Sequence, residues 1–133
     1  MTIWFGAAGG GVMALLGLVH LFYTLRDLAG PPKYFAPNDR ELLEAMKRAR
    51  VRLAPGGHDF WRAMLGFHIS HSIAVIMVGG LAIWGAATGE TVMQAIALAL
   101  TLIYAVIARR FWFAIPMWGC LIAGALQAFG LAL

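Results

Sequence analysis

The sequence predicts an all-α membrane protein: four transmembrane helices in one bundle, with a short amphipathic helix between the first and second. Three observations carry this. Four apolar runs, about 3–25, 60–87, 91–108 and 111–133, each approach the length needed to cross a hydrocarbon core, which is about 20 residues. The composition is 62% hydrophobic and only 12% charged, against roughly 45–50% apolar in soluble domains. All ten Lys and Arg lie between Arg26 and Arg62 or at Arg109–Arg110, two regions that fall on the same side of a four-span chain.

The first run, 3–25, has no basic segment ahead of it, and "TLRDLAG" at its far end lacks a small-x-small cleavage site. It is expected to stay as a helix rather than leave as a signal peptide. The connection that follows opens with "AGPPKYFAP", where three prolines deny a helix. "NDRELLEAMKRARVRL" then changes character. Asn38 is placed as an N-cap with Glu41 three positions on, and Leu42, Leu43, Met46, Ala49 and Leu53 recur at helical spacing. Acids come early and bases late, as the helix dipole prefers. An interfacial helix over about 38–53 is expected, ended by "APGG" before the second span.

The turn "ATGE" separates the second span from the third, and "ARRFWFAIP" separates the third from the fourth. Its arginines and aromatics suit anchoring at a headgroup boundary, and Pro116 is positioned to kink the fourth helix or free a carbonyl. Small residues in "GAAGGG" and "GCLIAGALQAFG" allow close approach of helices, within one chain or between copies. The whole chain, 1–133, reads as a single domain.

Basic residues stay cytoplasmic, so both termini are expected on the periplasmic side of a bacterial inner membrane. The net charge of +4 then forms a one-sided collar that suits anionic lipid headgroups. No basic groove with interleaved aromatics points to nucleic acid. The single cysteine, Cys120, excludes a disulfide or a Cys-based zinc site within one chain.

The chemistry concentrates in the stretch "GFHISHS", Gly66–Ser72. At about 1.5 Å per residue, His68 lies roughly 9 Å inward from Arg62, and His20 about as far from Arg26. His71 is roughly 4–5 Å deeper. Trp61, Met64, His68, His71 and Val75 form one stripe of the second span, and His20, Tyr23, Thr24 and Asp27 share a face of the first. Tyr104 and Trp112 sit at similar or shallower depth. A polar pocket roofed by Trp61, Arg62 and the amphipathic helix is expected. Gln94 and Gln127, near the opposite rim, read as packing, and His58 beside Asp59 as a solvated end group.

Polar residues in membrane spans usually face the interior and often mark function. The histidines can instead hydrogen-bond between helices, to Ser70, Ser72, Tyr23 or a carbonyl, as simple glue. Three chemistries compete with that. His20 facing His68 or His71 suits axial ligation of haem b, with Arg62 or Arg26 on the propionates. Three imidazoles suit a zinc or copper ion, with His20 and His71 as ligands. A neutral His beside Tyr and Asp suits proton exchange with a quinone, a lipid or an isoprenoid. A carboxylate-bridged di-iron site is excluded on the expectation that no acid lies within the spans.

The segments "LGLVHLFYTLRD", "FWRAMLGFHISHSIAVIMVGGL" and "ARRFWFAIP" resemble a group of small bacterial four-helix membrane proteins of uncharacterised function. The resemblance spans nearly the whole chain and implies the four-span fold and the inner membrane, without an activity. That family usually carries Asn at the position of His68, which shifts weight to His20 with His71. The leading expectation is an accessory subunit of a larger respiratory or photosynthetic membrane assembly, or a homo-oligomer, holding haem b or a quinone. His20 and His71 lead the site, His68, Tyr23 and Tyr104 follow, and Arg62 stands at its mouth. An intramembrane acid–base enzyme, with Asp27 orienting His20, and a purely structural scaffold are the alternatives. Transport ranks last, because four spans without internal charge or a broken-helix pair offer little for coupled ion movement.

Overall fold

The computed structural model describes residues 2–53 and 55–133, so the turn expected at "APGG" falls partly outside the described residues at Ala54. Among those residues there are five helices and no strand: α1 (Thr2–Ala29), α2 (Arg40–Arg48), α3 (Phe60–Thr88), α4 (Thr91–Phe111) and α5 (Ala114–Ala132). Helices α1, α3, α4 and α5 are long and apolar enough to cross a membrane. Their boundaries follow the expected runs within a few residues. The largest difference is at the end of α1, which continues four residues past the expected limit at 25 and carries Arg26 and Asp27 inside the helix. The expectation that no acid lies within the apolar helices is therefore corrected at Asp27, which the helix retains and buries.

Helix ends follow local chemistry. At the end of α3, Gly89 adopts φ +72° and Glu90 N–H donates to the Gly85 carbonyl at 2.9 Å. This is the left-handed stop that glycine allows without steric cost. Between α4 and α5 only Trp112 and Phe113 intervene. Pro116 is the third residue of α5, where a backbone N–H has no intrahelical partner in any case. It replaces no helical hydrogen bond there, and the kink expected at Pro116 has no basis.

Helix α2 is shorter than the expected 38–53, and its N-cap is Asp39 rather than Asn38. The Asp39 carboxylate accepts from Glu41 N (2.8 Å) and Leu42 N (3.2 Å). A carboxylate one residue nearer reaches these free N–H groups and also meets the positive end of the helix dipole. At the other end Arg50 pairs with Asp59 in an isolated antiparallel bridge, Phe60 N donates to Ala49 O at 2.9 Å, and the Arg50 guanidinium donates to the Gly57 carbonyl. These bonds pull the chain out of helix before Leu53, which is 94% exposed. No residue of α2 is buried.

The chain forms two compact units, residues up to Leu18 with Ala74–Leu133, and Val19–Ile73. In the first unit the core is Met13, Val75, Val78, Ala105, Cys120 and Ala123. Close helix approach sets its packing. A Cβ on Gly10 would come within 2.6 Å of the Gly79 carbonyl, and one on Gly79 within 2.5 Å of the Gly10 carbonyl. Gln94 donates to Gly85 O at 3.1 Å. The Gln127 amide and the Thr101 hydroxyl are buried without a hydrogen-bond partner among the described residues. In the second unit the buried side chains are Trp61, Leu65, Thr24, Asp27 and Ser72, a mixture far more polar than the first core.

Candidate functional site

The second unit holds the histidines. His20, in the third-last full turn of α1, and His68, in the third turn of α3, meet directly: His20 Nε2 and His68 Nδ1 are 2.9 Å apart. The periodicity of each helix accounts for the meeting. Thr24 and Asp27 continue the His20 face toward the end of α1, and Trp61, Leu65 and Ser72 flank His68 on the buried side of α3. His71 joins through its ring, 5.5 Å from His20 between centroids and nearly perpendicular to it. The three expected histidines are thus brought together, with His68 hydrogen-bonded to His20 and His71 in ring contact with it.

Hydroxyls nearby serve the backbone. Thr24 Oγ1 donates to the His20 carbonyl (2.8 Å) and Ser72 Oγ to the His68 carbonyl (2.7 Å). Ser70 Oγ donates to Phe67 O at 2.9 Å. Their protons are turned to the preceding turn of their own helix, so the expectation that Ser70 or Ser72 would tie down an imidazole gives way to an imidazole–imidazole bond.

That bond has a definite chemical consequence. Two neutral imidazoles sharing one proton present one donor and one acceptor at their outer nitrogens, His20 Nδ1 and His68 Nε2. Exchanging the tautomers of both rings swaps the two roles. The pair therefore has a hydrogen-bonding end on either side.

Aromatic rings enclose it. Phe35 stacks on His68 (centroids 4.6 Å, planes 21° apart) and tilts against His20 at 4.8 Å. Phe67 lies parallel to His71 at 6.3 Å. Phe35 comes from the proline-rich connection, which the sequence marked only as irregular. It is held by Asp27, 2% exposed, whose Oδ1 accepts from Lys33 N (2.8 Å) and Tyr34 N (3.0 Å) and whose Oδ2 accepts from Tyr34 N (3.0 Å) and Phe35 N (2.7 Å). Asp27 therefore binds the strap of residues 30–37 and does not orient His20, as its shared helix face had suggested. The signal available in the sequence was an acid in the last turn of an apolar helix followed seven and eight residues later by an aromatic pair between prolines.

The other expected site residues are placed differently. Tyr23 stacks on Tyr34 at 4.4 Å. Tyr104 lies in the first unit, packed against its core cluster. The Arg62 side chain is 63% exposed and sits 4.0 Å from Asp59, and Asp59 Oδ1 accepts the Arg62 N–H at 3.0 Å. That backbone hydrogen bond holds the Asp59 carboxyl below its ordinary range. His58 is exposed, as its place beside Asp59 implied. Phe35 lies against the imidazole faces, where Trp61, Arg62 and the amphipathic helix were expected as a roof.

Two expected groups can be set against this geometry. Axial imidazoles on opposite faces of a metal, at about 2 Å per bond, hold their nitrogens about 4 Å apart. His20 and His68 are in direct hydrogen-bond contact and do not fit a haem iron between them. Among the described residues no three His, Cys, Asp or Glu side chains are placed to hold one metal ion, so the zinc or copper arrangement on His20 and His71 finds no ligand set.

A scan of the chain against protein-family models finds no match. Neither curated proteins nor solved structures show a significant similarity to it.

Proposed function

We propose that this chain is a small integral membrane protein that binds the polar ring of a hydrophobic ligand, a quinone, at His20, His68 and His71. The observation that carries the reading is the His20–His68 hydrogen bond. A quinone carbonyl needs a donor and the corresponding quinol hydroxyl needs an acceptor, and the paired imidazoles offer one of each. Phe67 supplies an apolar ring face beside them. The reading also takes the basic ends of the helices as cytoplasmic, both termini as periplasmic, and α2 as lying among anionic headgroups of a bacterial inner membrane. Exposed Lys33, Arg40, Lys47, Arg48 and Arg52 support that placement. The modest mass outside the apolar helices favours an accessory role beside a membrane-protein partner or a second copy.

The test is calorimetric titration of the lipid-nanodisc protein with a short-chain ubiquinone analogue, alongside oxidised and dithionite-reduced absorbance spectra. Binding weakened tenfold or more in His20→Ala and His68→Ala is expected, with no Soret band in the purified protein. Wild-type protein that does not bind the analogue, or a Soret band abolished by the same substitutions, overturns the reading. The proton shared by the two rings also favours a second reading, an acid–base enzyme acting on a lipid or isoprenoid. It is distinguished by turnover of co-extracted lipid that disappears in the His20 variant.

A further inference from the structure

We propose that the strap of residues 30–37 is a built-in plug: the Phe35 ring occupies the imidazole face on which a flat ligand ring would lie, and Asp27 latches it there. This rests on the ligand reading above and narrows the ligand to one with a flat, single-ring head bearing a carbonyl or hydroxyl.

The position of Phe35 is the first ground. Phe35 lies within 5 Å of two imidazole centroids, nearly parallel to one of them. It lies over the face of His68 and at a tilt against His20. The contact has the geometry of ring-on-ring stacking, the same contact a quinone head would make.

The latch is the second ground. Three consecutive backbone N–H groups, from Lys33 to Phe35, converge on one buried carboxylate. Pro31, Pro32 and Pro37 bracket this turn and restrict its backbone. Tyr34 stacks outward on Tyr23, with the Lys33 ammonium 5.7 Å from the Tyr34 ring centre. The strap therefore has two attachments away from the histidines and one ring directed onto them. Lys33 and Tyr34 are exposed, so water can take their N–H groups when the carboxylate is lost. Release of the strap requires no disruption of either helix.

Access to the imidazoles reads the plug directly. Diethyl pyrocarbonate acylates neutral imidazole nitrogens, and exposed His58 in the same chain is the reference. Labelling of His20 and His68, measured by peptide mass spectrometry relative to His58, is expected to rise tenfold or more in Phe35→Ala and in Asp27→Asn, and to stay low in Phe35→Tyr. Unchanged ratios in both Phe35→Ala and Asp27→Asn overturn the plug. In the quinone titration, Phe35→Ala is expected to bind more tightly than wild type. Weaker binding makes Phe35 a wall of the site and also overturns the plug. Raised labelling without quinone binding by any variant supports the plug while defeating the ligand reading, so the two failures are distinguishable.

Discussion

Replacing Asp27 by Ala removes the acceptor for three backbone N–H groups at 2.7–3.0 Å. Hydrogen bonds to a charged group contribute about 1.5–3 kcal/mol each, so an upper bound near 4.5–9 kcal/mol follows if all three donors were stranded. They are not equally placed: Lys33 and Tyr34 are exposed and regain water, whereas Phe35 is partly buried against the imidazoles. Discounting two of the three bonds leaves an expected loss of about 1.5–3 kcal/mol. Asp27→Asn keeps one acceptor oxygen and is expected to lose about half as much. The assay is unfolding in mixed micelles with increasing dodecyl sulfate, paired with amide hydrogen exchange of residues 33–35. A loss below about 0.5 kcal/mol, with unchanged exchange at those three amides, would refute the assignment of Asp27 as the anchor of the strap.

Two further predictions test other parts of the molecule. Gly79→Ala places a Cβ within 2.5 Å of the Gly10 backbone and is expected to cost about 1–3 kcal/mol as overpacking, while Gly80→Ala next to it meets nothing within 4 Å and is expected to leave the melting temperature in detergent unchanged. Asp59 is held below its ordinary carboxylate value of 3.8, chiefly by the Arg62 N–H. A depressed carboxyl stabilises above that value and loses its contribution as pH falls through the folded one. The stability difference between wild type and Asp59→Asn is therefore expected to be constant at neutral pH and to shrink only on acidification below 3.8; a difference that grows on acidification contradicts the assignment.

The four long helices were legible in the amino-acid sequence. Run length and the absence of charge are local properties, and a chain this apolar has few other ways to satisfy its backbone. That three histidines share one region was legible as well, because helical rise and periodicity convert residue number into depth and face. The small error at α2 has the same local origin: Asn38 and Asp39 are both good caps, and only the bonds to Glu41 and Leu42 decide between them.

Tertiary structure alone decided which nitrogens meet. His68 and His71 lie on neighbouring parts of one stripe, and the rotation of α3 about its axis, invisible in the sequence, brings Nδ1 of His68 to His20. The glycine contact between α1 and α3 is of the same kind, since small residues permit close approach without specifying the partner. The strap is the extreme case. A proline-rich segment has no periodic hydrogen bonds of its own, so its path is set by an acceptor elsewhere, the Asp27 carboxylate. That path carries Phe35 onto the imidazoles.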